Sequence, residues 1–116
     1  MNWTLHLSPE AETCIDEQLQ WFEADEQHSG FALADRWLSA LEESLASLLR
    51  NPTKCGFAPE NGRWNPNLIL RQFRFKPWKA DKAWRVLYIL EESERKLVVI
   101  QIRHERRKWL FEEPTD

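Results

Sequence analysis

A chain of 116 residues is of single-domain size, and a hydrophobic content of 42% with only three glycines describes a folded protein with a core of its own, not a tethered tail. No apolar run approaches the roughly 20 residues of a membrane span, and MNWTLHLSPE lacks the basic and apolar blocks of a signal peptide. The expectation is one cytoplasmic domain over residues 1–116, without a membrane segment. The net charge of −3 conceals a split. Residues 1–62 hold 3 Lys/Arg against 11 Asp/Glu, residues 63–109 hold 13 against 5, and the last seven add three acids. A basic second half suits phosphates or an acidic partner better than the overall sum suggests.

Trp3, Leu5 and Leu7 alternate with polar residues over Asn2–Leu7, the pattern of a short strand. Ser8-Pro9-Glu10 is a helix start: the hydroxyl can accept an orphan N–H, proline loses nothing in the first turn, and the carboxylate faces the positive dipole end. Ala11, Ile15, Leu19 and Phe22 step along one stripe and predict a helix to about Gln27. His28-Ser29-Gly30 interrupts it. Ala34, Trp37, Leu38, Leu41, Leu45 and Leu48 then keep a helical period until Asn51-Pro52 stops it. So short a connection makes an antiparallel helical hairpin of two helices of roughly 20 residues, or about 30 Å each.

Thr53–Asn67 reads as a loop, with Gly56, Pro59, Asn61-Gly62 and Asn65-Pro66, pinned by Phe57 and Trp64. Leu68–Lys76 is a second strand, with Arg71, Phe73 and Phe75 on one face and Gln72, Arg74 and Lys76 on the other. Pro77–Lys82 is a polar excursion in which Trp78 is expected to face outward. Ala83–Leu90 and Leu97–His104 are two further strands joined by a Glu91–Lys96 turn. Residues 110–116 are expected to form a mobile tail. The order β-α-α-β-β-β describes an α+β domain, a helical hairpin packed on one face of a mostly antiparallel four-stranded sheet, with the other face or its rim left for function.

Cys14 and Cys55 have no CxxC partner, and His6, His28 and His104 show no metal spacing. Reduced thiols, no metal and no cofactor are expected. Trp21, Trp37 and Trp84 read as core or core-edge residues. Trp3, Trp64, Trp78 and Trp109 are more than a small core buries comfortably, which suggests either an aromatic docking groove for an antitoxin segment or a densely packed small core.

The succession LSPEAE, ADRWLSALEESLASLLRNP, LRQF, WRVLYIL and VVIQIRHERR resembles the RelE/ParE superfamily of bacterial toxins over nearly the whole chain. The resemblance implies a type II toxin made beside a cognate antitoxin. Two activities occur on that fold, ribosome-dependent mRNA cleavage in RelE-like members and inhibition of DNA gyrase in ParE-like members.

A metal-independent nuclease needs an acid, a base and cations for the phosphorane charge. Arg85, His104 and Arg107 would be its catalytic residues here, with Arg74 and Lys76 as further cations. Each also has a plainer reading. Arg85 could pair with a neighbouring acid, Arg74 and Lys76 could form a solvated face, and His104 could be structural. RelE-like nucleases usually carry a tyrosine beyond the basic cluster, where this chain reads KWLFEEPTD, and the only tyrosine is Tyr88 within a strand. The ParE-like reading is therefore preferred. Arg71, Arg74, Lys76, Arg85, Arg103, Arg106 and Arg107 are its candidate contacts to gyrase, or to ribosome and mRNA under the nuclease alternative. Trp78, Trp109 and Phe111 are the candidates for antitoxin binding. A third possibility is a degenerate, non-toxic member that retains only antitoxin binding.

Overall fold

The structure is a computed structural model, and residues 2–25, 27, 30–79 and 83–105 are described. Six elements follow in the expected order: β1 (Thr4–Leu7), α1 (Pro9–Glu23), α2 (Gly30–Arg50), β2 (Arg71–Phe75), β3 (Trp84–Glu91) and β4 (Lys96–His104). The strands form one sheet in the order β1-β4-β3-β2. β1 runs parallel to β4, and the other two pairings are antiparallel. The helical hairpin packs on one face.

Ser8 begins α1 as anticipated. Its Oγ accepts from the Ala11 N–H at 3.0 Å and donates to the Ile100 carbonyl at 2.8 Å, so one hydroxyl caps a helix and ties it to β4. The helix ends at Glu23, short of the expected Gln27, and its 15 residues span about 22 Å instead of 30. The cause is the reversal itself. The Asp25 N–H turns back to the Phe22 carbonyl at 3.1 Å, and the Gly30 N–H donates to the Asp25 carbonyl at 3.1 Å. Gly30 is required at this point, because a Cβ there would lie 1.9 Å from the Phe22 carbonyl oxygen.

The main core joins both helices to the sheet through Ala11, Phe22, Trp37, Leu41, Leu45, Leu48, Val86, Tyr88, Leu97, Val99 and Ile102. Trp21, expected at the core or its edge, is 68% exposed. One residue is about 100° of helical rotation, and burial of Phe22 turns Trp21 outward.

Two features of the sheet could not be read from alternation. Between Leu87 and Tyr88 the β3–β4 register shifts: Leu87 pairs with Gln101 but Tyr88 with Val99, leaving Ile100 as an extra residue. Strict alternation from Leu97 would send Gln101 and Arg103 into the helical core. The bulge reverses the phase, so Ile102 faces the helices and Arg103 faces away. The second feature is the segment before β2, which folds over the far face of the sheet. Ala58 is buried there with Leu70 and Leu87, Trp64 packs against them, and Glu60 is fully buried. The far face, one of the two surfaces expected to be left for function, is thus partly covered.

Candidate functional site

Pairing across the sheet lines up three arginines. Arg74 of β2 lies opposite Arg85 of β3, which lies opposite Arg103 of β4, all on the face away from the helices. Their environments differ. Arg74 is exposed and pairs with Glu105, whose other oxygen accepts the Ala83 N–H at 2.8 Å. Arg85 and Arg103 are buried at 4% and 1% exposure.

Arg85 is engaged by neutralising groups. Its Nη2 donates to both carboxylate oxygens of Glu60, at 2.5 and 2.6 Å, and its Nε donates to Gln72 Oε1 at 2.8 Å. Arg103 Nη1 donates to Gln101 Oε1 at 2.7 Å. Buried Arg85 needs a counter-charge, because desolvation of an isolated cation is prohibitive. Glu60 supplies it from the turn Pro59-Glu60-Asn61-Gly62, where Gly62 takes a φ of 82° and Asn61 Oδ1 accepts the Leu70 N–H at 2.9 Å. Neither Glu60 nor the two glutamines was singled out from the sequence. A lone acid within a turn carries no signal of its own, since its partner is 25 residues away.

His104 stands on the opposite face. It pairs across the ladder with Trp84, and the two rings meet edge-on at 5.0 Å. Trp84 packs on Trp37 at 5.4 Å, and Trp37 on Phe75 at 6.1 Å, so the imidazole ends an aromatic row rising from the helices. Arg85 and His104 therefore do not converge on one reacting centre.

The other candidates scatter. Arg71 lies on the helix side, its Nη1 donating to the Cys55 carbonyl at 2.7 Å and its guanidinium stacked 5.1 Å from the Phe57 ring. Lys76 is exposed beyond the end of β2. Trp78, expected to face outward, is half-buried, with its ring edge-on to Phe22 at 5.5 Å. Arg106, Arg107, Trp109, Phe111 and the tail lie outside the described residues. Tyr88 is fully buried on the helix side and donates its hydroxyl to the Pro52 carbonyl at 2.9 Å. Burial, reinforced by the neighbouring Cys55, pushes its phenol well above the ordinary value. Among the described residues, no group of three or more His, Cys, Asp or Glu could hold a metal, and no helix is long and apolar enough to cross a membrane.

Residues 5–109 match the family described as the ParE toxin of the type II toxin–antitoxin system parDE. The chain belongs to the ParE toxin family. It is thus the toxin component of a type II toxin–antitoxin system, within the RelE/ParE superfamily. Fourteen chains of solved structures match it. One is in the toxin–antitoxin complex RelBE2 of Mycobacterium tuberculosis, with a TM-score of 0.52 and 16% identity over 90% of this chain and 100% of that one. Another is in the archaeal RelE–RelB complex of Pyrococcus horikoshii OT3, with a TM-score of 0.48 and 11% identity over 93% of this chain and 100% of that one. At such identities the likeness concerns the fold. Among curated proteins, none matches this sequence.

Proposed function

We propose that this ParE-family toxin arrests growth by docking on a protein target, with DNA gyrase the target its family implies, and that a cognate antitoxin neutralises it by covering the docking surface. The observation that carries this reading is the separation of Arg85 from His104. A phosphate held by Arg85 would lie on the far face of the sheet, already occupied by Glu60, while the imidazole sits on the helix face against Trp84. General acid–base catalysis needs the proton carrier within hydrogen-bond reach of the reacting atoms. Tyr88 offers no substitute as a base, because its phenol is buried and held protonated. The cations proposed for target contact are Arg74 and Lys76 at the end of β2, with Arg106 and Arg107 beyond the described residues; Trp78, Trp109 and Phe111 are proposed for the antitoxin.

The test is induction of the toxin alone, followed by purified-component assays. DNA damage signalling that precedes any fall in translation, together with inhibition of gyrase supercoiling in vitro, is the expected result. Cleavage of mRNA in a translating extract, lost on Arg85→Met or His104→Ala, would overturn it in favour of the nuclease. Unimpaired growth without an antitoxin would overturn it in favour of a non-toxic binding member.

A further inference from the structure

The turn that delivers Glu60 to Arg85 also holds a chemically reactive dipeptide, Asn61-Gly62. The chain has five asparagines, and only this one is followed by glycine. Asn51 and Asn65 precede prolines, which have no N–H, while Asn2 and Asn67 precede the bulky Trp3 and Leu68. The distinction matters because the backbone nitrogen of the next residue can attack an asparagine side-chain amide. Glycine, with no Cβ, leaves that nitrogen least hindered.

The turn leaves the reacting groups free and aligned. Gly62 is exposed, and a Cβ built on it would meet nothing within 4 Å, so the tip is open to solvent. Its neighbours' amides are engaged: the Asn61 N–H donates to the Ala58 carbonyl at 3.0 Å, and the Arg63 and Trp64 N–H groups both donate to the Glu60 carbonyl at 3.0 Å. Among the described residues, the Gly62 N–H makes no hydrogen bond. The Asn61 carbonyl is held from the other side, its Oδ1 accepting the Leu70 N–H at 2.9 Å. That donor faces the oxygen on which negative charge gathers when the amide carbon becomes tetrahedral. The leaving nitrogen, Nδ2, has no hydrogen bond to a described residue that would retain it.

We infer that Asn61 is a self-modification site, at which the Gly62 nitrogen closes a succinimide that water opens to aspartate and isoaspartate, loosening the clasp of Glu60 on Arg85. In the first step the Gly62 nitrogen gives its proton to a solvent base and bonds to Asn61 Cγ. The Cγ–Nδ2 bond breaks, and the nitrogen takes a proton from water and leaves as ammonia. In the second step water adds to one carbonyl of the ring. Opening at Cγ gives aspartate, and opening at the main-chain carbonyl gives isoaspartate, whose chain runs through Cβ and Cγ. Isoaspartate therefore inserts a methylene between the Asn61 Cα and Gly62. The two N–H bonds to the Glu60 carbonyl close the turn across that point, and a longer chain cannot keep both. Glu60 then loses the placement that sets both of its oxygens on Arg85 Nη2.

The folded full chain is aged in mildly alkaline buffer and digested with trypsin, which releases residues 55–63 with Asn61 as the only asparagine. The expected result is an amide-to-acid mass change in that peptide before any other, with isoaspartate confirmed by enzymatic methylation. Gly62→Ala, whose Cβ crowds the attacking nitrogen, should slow the change by roughly tenfold. The isoaspartate form should unfold in urea at a midpoint lower by roughly 1 M or more, as loss of a buried ion pair requires. Asn61→Asp, which adds the charge without the methylene, should unfold close to wild type. A mass change that appears only when urea is present during ageing, or first at another asparagine, would overturn the inference. So would an equal rate in Gly62→Ala, an unchanged midpoint in the isoaspartate form, or an equal fall in Asn61→Asp. Should Gly62→Ala fail to fold, the order of modification among the five asparagines of the wild-type chain decides the matter.

Discussion

Removing the Glu60 carboxylate is the most demanding test of the reading of the far face. In Glu60→Ala the Arg85 guanidinium loses both of its Nη2 contacts, at 2.5 and 2.6 Å, in a place where the two side chains are 5% and 0% exposed. It is also left directly across the ladder from buried Arg103. Two opposite charges about 4 Å apart attract by about 4 kcal/mol at an effective dielectric of roughly 20. Breaking a buried pair by removing one partner costs about 3–5 kcal/mol, and the neighbouring guanidinium places this case toward the upper end. Against a total of about 5–15 kcal/mol for a domain, that is a large share. With a urea dependence of about 1–3 kcal/mol per molar, the unfolding midpoint should fall by roughly 2 M or the protein should fail to fold. Glu60→Gln, which keeps one acceptor but no charge, should lie between wild type and Glu60→Ala. The double replacement Glu60→Met/Arg85→Met should recover most of the loss, because a buried pair exchanged for apolar side chains of similar volume is often neutral. Recovery should stop about 1 kcal/mol short, since Gln72 Oε1 loses its donor. Urea denaturation followed by far-ultraviolet circular dichroism reads all four proteins. A loss below about 1 kcal/mol in Glu60→Ala, the range of a surface pair, would refute the reasoning.

Three further outcomes are expected. Tyr88 is the only tyrosine, so tyrosinate absorbance at alkaline pH reports one group. Its folded value is raised above the ordinary 10.0, so its contribution to stability is complete below that pH and is lost as pH rises further, the unfolded chain releasing the proton first. The signal should therefore appear together with loss of the fold, and ionisation of the native protein near pH 10 would contradict the burial. Gly30→Ala should destabilise by about 1–3 kcal/mol or more by thermal melting, because the new Cβ meets backbone 1.9 Å away and backbone cannot swing aside as a side chain can; an unchanged melting temperature would rule out the close hairpin. Ser8→Ala should cost about 1–2 kcal/mol by urea denaturation, more than an isolated cap at the low end of its range, because the hydroxyl also donates to the bulge carbonyl of Ile100. A loss within a few tenths would mean that the second bond contributes nothing.

How far the site could be read in advance varied with the range of the interaction. The start of α1 was legible because Ser8, Pro9 and Glu10 act within one turn. The buried stripe of α2 was legible because helical periodicity repeats over 21 residues. The end of α1 was not, since it depends on Gly30 meeting the Phe22 carbonyl across the reversal. Trp21 was misread as core or core-edge because a tryptophan suggests burial by its size, while its place beside Phe22 on the helix turns it to solvent. Among the site candidates, alternation separated Arg74 and Lys76 from Arg71, Phe73 and Phe75, and the structure shows that Arg74 is on the face away from the helices. The sequence had no means of separating Arg85 from His104, since that depends on how each strand meets the helices.

The sequence by itself determined the order of elements, the helical hairpin, the alternating faces of β2 and membership of a toxin family, because local periodicity, capping and turn chemistry are written in neighbouring residues. Tertiary structure alone decided which charges are available. The bulge at Ile100 reverses the phase of β4 and turns Arg103 away from the core, to lie beside Arg85. The turn carrying Glu60 then closes over Arg85 from 25 residues away. A bulge leaves no mark on a pattern of period two until its partner strand is in place, and a buried carboxylate can be told from a solvated one only when the surface it meets has formed.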